Sequence, residues 1–491
     1  MRQTCGADNG VPVERGVVVV DDGDASEAEA AMEDSEMVSI GEATQGMEST
    51  PLCRLSITRR PQHHNLPRPP QTPIPRPPPD PHPPRQILPN QSQTPQKPHP
   101  HTPSPSSSST PLSPQSYGAY SISLPFGTPP NPSPSSSTPA ATSSGSPAPT
   151  ATSAATAPKP PPPPPFIPKL SHSSKLVGCK NPKCLWIHPD PNRLNNCTST
   201  HQLCPPYLVL YGSASTGGVL LSDTLNLSPP SKSYPDFAVG CSLFSSGSPA
   251  GIAGFGRGPA SLPSQLRLAK FSYCQVSHRF DGASAKSSSL NLAFSGGAAK
   301  APGTAYTRFL SNPTAGKRAF GVYYYLGLRR ISIGGVEVKI AAKYLSPQAD
   351  GNGGVIVDSG STFTFMEAAV FEPVAREIVK QVENRYRRLR GVEERVGLAP
   401  CFNVSGEEVA FPKLVLHFKG GADMELPLPN YVAFVGRGSD AVCMTVLTDG
   451  GDGGEGVSGP AVILGNHLMQ NFYVEYDLRN NRFGFRRQLC L

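Results

Sequence analysis

The residues whose types and spacing could do chemistry are Asp358, Ser359, Gly360, Ser361 and Thr362, directly after Gly353-Gly354-Val355-Ile356-Val357. An apolar strand here delivers one carboxylate into a tight turn of glycine and small hydroxyl residues. Backbone N–H and hydroxyl groups around such a turn tune a carboxylate without covering it. The plainer alternative is an Asx-type turn closing a strand. Three other segments stand out. Ala461-Val462-Ile463-Leu464-Gly465 is an apolar run ending on a glycine 107 residues beyond Asp358, and Gly251-Ile252-Ala253-Gly254 is a similar run. Tyr211-Gly212-Ser213-Ala214-Ser215-Thr216-Gly217-Gly218 sets a tyrosine at a Gly/Ser hairpin.

The elements that must hold these residues read mainly as strands. β-Branched and aromatic runs at 207–211, 321–326, 330–333, 354–357, 413–418, 462–464, 472–476 and 482–485 alternate with Gly, Pro, Ser and Asn turns. Asn480-Asn481 marks a hairpin turn. Val370, Val374, Ile378, Val382, Tyr386 and Leu389 recur at helical spacing, with Arg385 to Arg390 closing that helix in positive charge.

Composition divides the chain. Residues 51 to 170 hold 37 of the 58 prolines, and so Pro/Ser-rich a front cannot bury enough apolar surface to offset its ordering entropy. The remaining part is long enough for two domain-sized cores. No apolar run reaches the roughly 18 residues of a membrane helix. A net charge of +7, scattered along the chain, implies no nucleic-acid surface. The Val17–Val20 run ends in acidic residues and does not make a secretory signal. Cysteine usage nevertheless points to an oxidising compartment. Cys179, Cys184, Cys197 and Cys204 read as a stapled loop; zinc, with His188 or His201, is the rival, at a spacing that fits no common finger. With Cys241, Cys274, Cys401, Cys443 and Cys490 the globular part has an odd nine, so a partner is missing or a thiol is free. Sequons start at Asn196, Asn226 and Asn403.

The set, in its order and spacing, resembles the pepsin-like aspartic proteases, in particular the nepenthesin-type plant branch with extra cysteines. Ser116–Tyr120 with Phe126–Pro130, Phe271–Cys274 and Tyr473–Asp477 look like further blocks of that family. The resemblance implies an all-β, bilobal acid-protease fold with a few short helices: an N-lobe over 116–300, a C-lobe over 301–491, and a low-complexity, disordered stretch over 1–115. It implies that Asp358 is the C-lobe catalytic aspartate, with Gly360 in its turn and Ser361 or Thr362 supporting it. Tyr211 and Gly212 would belong to the flap over a peptide or protein substrate, and Gly360 would join them in binding that substrate. Gly254 and Gly465 would end the paired structural strands. Cys401 and Cys443 are candidate disulfide partners. No cofactor or metal is implied, and the expected state is a monomer, secreted or in the endomembrane system.

The implied mechanism needs two aspartates that share one proton: the ionised one activates a water and the protonated one polarises the scissile carbonyl. A step of 107 residues back from Gly254 lands near 147, in Pro/Ser-rich sequence, and no Asp or Glu occurs between Asp80 and Asp190. Back-translation of Ser137–Thr150, with each new codon started on the third base of the old, can read D-T-G-S-D-L-V-W-F-P-C-A-H. The same shift turns 131–137 into Q-P-V-A-L-L-L, so Gly127-Thr128-Pro129-Pro130 would continue as G-T-P-P-Q. It also permits two more cysteines near Ser153 and Thr156; with the one in the shifted block, these three and the nine would make an even set of twelve. Residues 131–165 therefore read as a frame-shifted stretch, with the family's frame resuming by Phe166; a true Pro-rich spacer is the alternative. As written, the chain is expected to lack acid proteolysis. A non-catalytic binding protein similar to the plant xylanase inhibitors is the competing reading.

Overall fold

The computed structural model describes residues 107–114, 119–129, 137–140, 166–190, 194, 197–210, 215–227, 232–246, 251–277, 287–297, 299–314, 318–405, 409–435, 440–448 and 459–490. The front of the chain to residue 106, and the segments 130–136 and 141–165, lie outside them.

Alternating burial builds the backbone of the molecule as an eight-stranded antiparallel sheet. Its order is Ala305–Arg308, Arg482–Arg487, Phe472–Asp477, Lys270–Cys274, Ser288–Ala293, Ser107–Pro114, Tyr120–Ser123 and Ser137–Ala140. The sheet thus joins the last strands of the chain to its first. Phe271, Tyr476, Phe483 and Phe485 fill its core, with the Phe271 and Tyr476 rings stacked at 4.4 Å. The Phe472–Asp477 and Arg482–Arg487 strands form the expected hairpin, with Asn481 at φ +50 in the turn.

In the C-terminal half, a five-stranded sheet runs Tyr325–Leu326, Val355–Val357, Val462–Leu464, Thr364–Met366, Val446–Leu447. Its second and third strands are parallel and buried on both faces, which is why they read as unbroken Val-Ile-Val and Val-Ile-Leu. A four-stranded sheet centred on Leu328–Ile333 and Leu414–Phe418 carries the helix Ala368–Val382 through Val370, Val374, Ile378 and Val382. In the N-terminal half, the long hairpin Ser215–Leu227 and Lys232–Ser246 pairs with Tyr207–Leu210 and Lys175–Leu176.

Disulfides join Cys179–Cys197, Cys184–Cys204, Cys274–Cys490 and Cys401–Cys443. Cys241 is disulfide-bonded as well, so none of the nine is a free thiol. The stapled loop is therefore covalent, and the zinc reading falls; no cluster of His, Cys, Asp or Glu among the described residues could hold a metal. No helix among them is long and apolar enough to cross a membrane.

Three local expectations need correction. Ser107–Pro114, inside the expected low-complexity front, forms a strand with six residues paired to Ser288–Ala293. Ser108 and Leu112 face inward, and Pro111 lies outside the Ser113–Pro114 stretch that pairs on the other side. Proline is tolerated where one flank lacks a ladder. Of the strand expected at 321–326 only Tyr325–Leu326 is extended; Gly321 and Val322 end the 3-10 turn Arg318–Val322. The helix stops at Val382, and Leu389 instead precedes a second helix, Arg390–Val396. Tyr386 stays in the periodic pattern because it is buried against Phe411, not because it is helical.

Candidate active site

Asp358 sits at the carboxyl end of Val355–Val357, where two parallel strands run side by side. Its N–H donates to the Leu464 carbonyl at 3.0 Å and fixes it between them. Gly353 and Gly354 enter that strand at φ +69 and +83, conformations open to glycine at little cost. The chain then turns through Ser359–Phe363 and returns as Thr364–Met366, antiparallel to Val462–Leu464 on its other side. Gly465 is the close-approach point: a Cβ there would lie 2.4 Å from the Phe363 carbonyl oxygen.

The carboxylate is held by its own turn. Gly360 N–H donates to Oδ1 at 2.8 Å and Ser361 Oγ donates to Oδ2 at 2.7 Å. Burial pushes the group up from 3.8 to about 6, against the opposing pull of the Ser361 and Gly360 donors. Of the two expected supports, Ser361 is the one that reaches Asp358. Thr362 acts on the loop through its carbonyl, which accepts from His467 N–H at 2.9 Å. The Thr364 hydroxyl, not singled out from the sequence, accepts from Gly465 N–H at 3.2 Å.

A cavity of about 40 Å³ lies against Asp358, lined also by Ser359, Phe255, Tyr324 and Tyr476. That is room for a water or two. Asp358 is the only carboxylate among its lining residues. Three phenols gather near it: the Tyr273 and Tyr476 hydroxyls lie 3.2 Å apart, and Tyr324 donates to the Phe255 carbonyl at 2.9 Å. Burial raises all three, Tyr273 to about 12, so each stays neutral in water of ordinary pH. The blocks 271–274 and 473–477 were visible in the sequence. Their register, with Tyr476 opposite Phe271 and Val474 opposite Tyr273, was not.

The other buried acids are occupied elsewhere. One oxygen of Asp223 takes hydrogen bonds from Ser171, Ser173 and Thr224. Glu475 accepts from Lys270, Tyr306 and Tyr473, and Asp477 pairs with Arg482. Gly251–Gly254 forms no strand, although its counterpart Val462–Leu464 is central in a sheet; the Gly254 carbonyl accepts from Leu262 N–H instead. Tyr211 and Gly212 lie outside the described residues. Cys401 and Cys443 are bonded across paired strands.

A family model described as xylanase inhibitor N-terminal matches residues 120–292, and one described as xylanase inhibitor C-terminal matches 323–487. Aspartic proteinase nepenthesin-2 of Nepenthes gracilis is 31% identical over 334 residues, covering 66% of this chain and 68% of that protein. Nepenthesin-1 of the same plant is 30% identical with the same shares covered. The chain belongs to the pepsin-like aspartic protease family. Among solved structures, edgp (18% identical, TM-score 0.57) covers 79% of this chain and 97% of its own. Basic 7S globulin from soybean (16% identical, TM-score 0.53) covers 79% and 96%. At such low identity these two establish the bilobal, all-β acid-protease fold alone. Within that family, Asp358-Ser359-Gly360-Ser361 is a carboxylate-bearing turn at the end of a central strand.

Proposed function

We propose that this chain descends from an aspartic endopeptidase and carries half of its catalytic dyad, Asp358, and that the chain as written does not hydrolyse peptides. The carrying observation is the cavity at Asp358: among the described residues that line it, chiefly Phe255, Phe271, Tyr323, Tyr324 and Tyr476, Asp358 is the one carboxylate. A general base needs a partner that splits the two carboxyl pKa values and holds the water between them. A lone acid raised to about 6 is protonated between pH 3 and 5, and so cannot take a proton from water there. In this reading Ser361 and Gly360 position Asp358, Tyr211 and Gly212 belong to the flap over a peptide substrate, and Gly254 and Gly465 are the paired strand ends. The lobes divide near residue 300. The absent partner aspartate is the product of a shifted reading frame over about 131–165. The bonded cysteines favour a secreted or endomembrane protein, and the reading takes it to act as a monomer.

The match to models described as xylanase inhibitors favours a second reading, a non-catalytic, protease-shaped binding protein. One assay separates the two from an active enzyme: a mixture of peptides incubated at pH 3–5 with and without a pepsin-type transition-state inhibitor. No cleavage is expected. Inhibitor-sensitive cleavage would overturn the proposal.

A further inference from the structure

A second cavity, of about 230 Å³, opens where the loop at Gly256–Arg257, the short helix Leu262–Leu266 and the Leu478–Asn481 turn meet. Gly256 and Tyr324 line both this space and the one beside Asp358, but Asp358 itself does not line the larger one. Its apolar lining includes Leu268, Phe309 and Tyr324, and no acidic residue is among the described residues that line it. Two arginines do, Arg257 and Arg267. Arg257 is anchored, donating to Asn312 Oδ1 at 3.1 Å and to Asn481 Oδ1 at 3.4 Å, with its Cζ 5.9 Å from the centroids of both Phe309 and Tyr324. Those bonds use two of its five N–H groups, so three remain for a ligand. Arg267 is held differently. Its backbone is fixed at φ +54 at the end of the helix, where its N–H bonds back to Pro263 and Ser264, while its exposed guanidinium has no ion-pair or hydrogen-bond partner among the described residues.

A cavity of about 150 Å³ suffices to take up benzene. The larger space here adds two cations over an aromatic floor, where a planar guanidinium matches a carboxylate fork and also stacks on a ring. We propose that this cavity binds an aromatic carboxylate, with the ring against Phe309 and Tyr324 and the carboxylate between Arg257 and Arg267. The same chemistry comes from a free benzoate-like acid or from a peptide that ends in phenylalanine. Neither source depends on catalysis at Asp358.

Titration calorimetry on the full chain at pH 7 and low salt tests it, with benzoate, benzamide, N-acetylphenylalanine and its amide as probes. At least one acid should bind ten-fold or more tighter than its amide, and the tighter acid names the source. Arg267→Gln should weaken that acid at least ten-fold and leave the thermal midpoint unchanged, since the side chain holds nothing else in place. Arg267→Lys should restore part of the loss. Equal binding of acid and amide, no binding of either acid at 10 mM, or full binding by the Gln variant would each overturn the proposal.

Discussion

Replacing Asp358 by asparagine isolates the one group on which the functional reading rests. Burial raises this carboxyl from 3.8 to about 6 in the folded chain. The folded state therefore holds the proton more tightly than the unfolded state does. Its contribution to stability is complete below pH 3.8 and is lost as pH rises through 6. The interval is a little over two pH units at about 1.36 kcal/mol each, so the parent should lose about 3 kcal/mol of stability from this group between pH 3.8 and 6. Asp358→Asn keeps the shape and cannot ionise. It exchanges the carboxylate's bonds from Gly360 and Ser361 for those of an amide, an offset that does not vary with pH. Denaturant unfolding of both proteins from pH 3 to 8, on the same buffer series, gives the difference curve. A single one-proton step of about 3 kcal/mol, favouring the variant at high pH, is expected. A flat difference would refute the buried, singly titrating carboxyl. Two separated steps would refute the claim that it stands alone, because coupled acids release their protons at two apparent values.

Three further outcomes follow from the same geometry. Ser361→Ala removes a donor to Oδ2 that pulls the Asp358 value down, so carbon-13 NMR of that carboxyl should titrate above the parent's value. Gly465→Ala drives a methyl into the Phe363 backbone and should cost about 2–3 kcal/mol in denaturant unfolding, the scale of overpacking at a site that cannot relax. Genomic reads across codons 128 to 168 should contain D-T-G-S-D-L-V-W in the frame that starts on third bases; codons unable to give it would end the frame-shift explanation.

How far the sequence could be read depended on distance along the chain. Val355–Val357 and Val462–Leu464 were legible because burial on both faces leaves an apolar run with no alternation, and a small-residue turn next to it fixes where the carboxylate must sit. The helix was legible from its stripe, but its end was not. Tyr386 packs in phase with Val382 after the helix has stopped, and periodicity cannot tell a buried turn from a helical one. Ser107–Pro114 was hidden by composition: its Ser and Pro suit an edge, and its hydrogen bonds come from a strand some 180 residues away. The phenols around Asp358 were the least legible. Tyr273 and Tyr476 meet only because two strands 203 residues apart take one register, which no local pattern encodes.

The most direct test of a lone half-dyad compares three proteins in one peptide-cleavage assay at pH 3–5: the parent chain, a repaired chain in which the shifted block replaces residues 131–150, and the repaired chain with Asp358→Asn. The prediction is cleavage by the repaired chain alone. Cleavage by the parent, or by the repaired chain after Asp358 is removed, would contradict it.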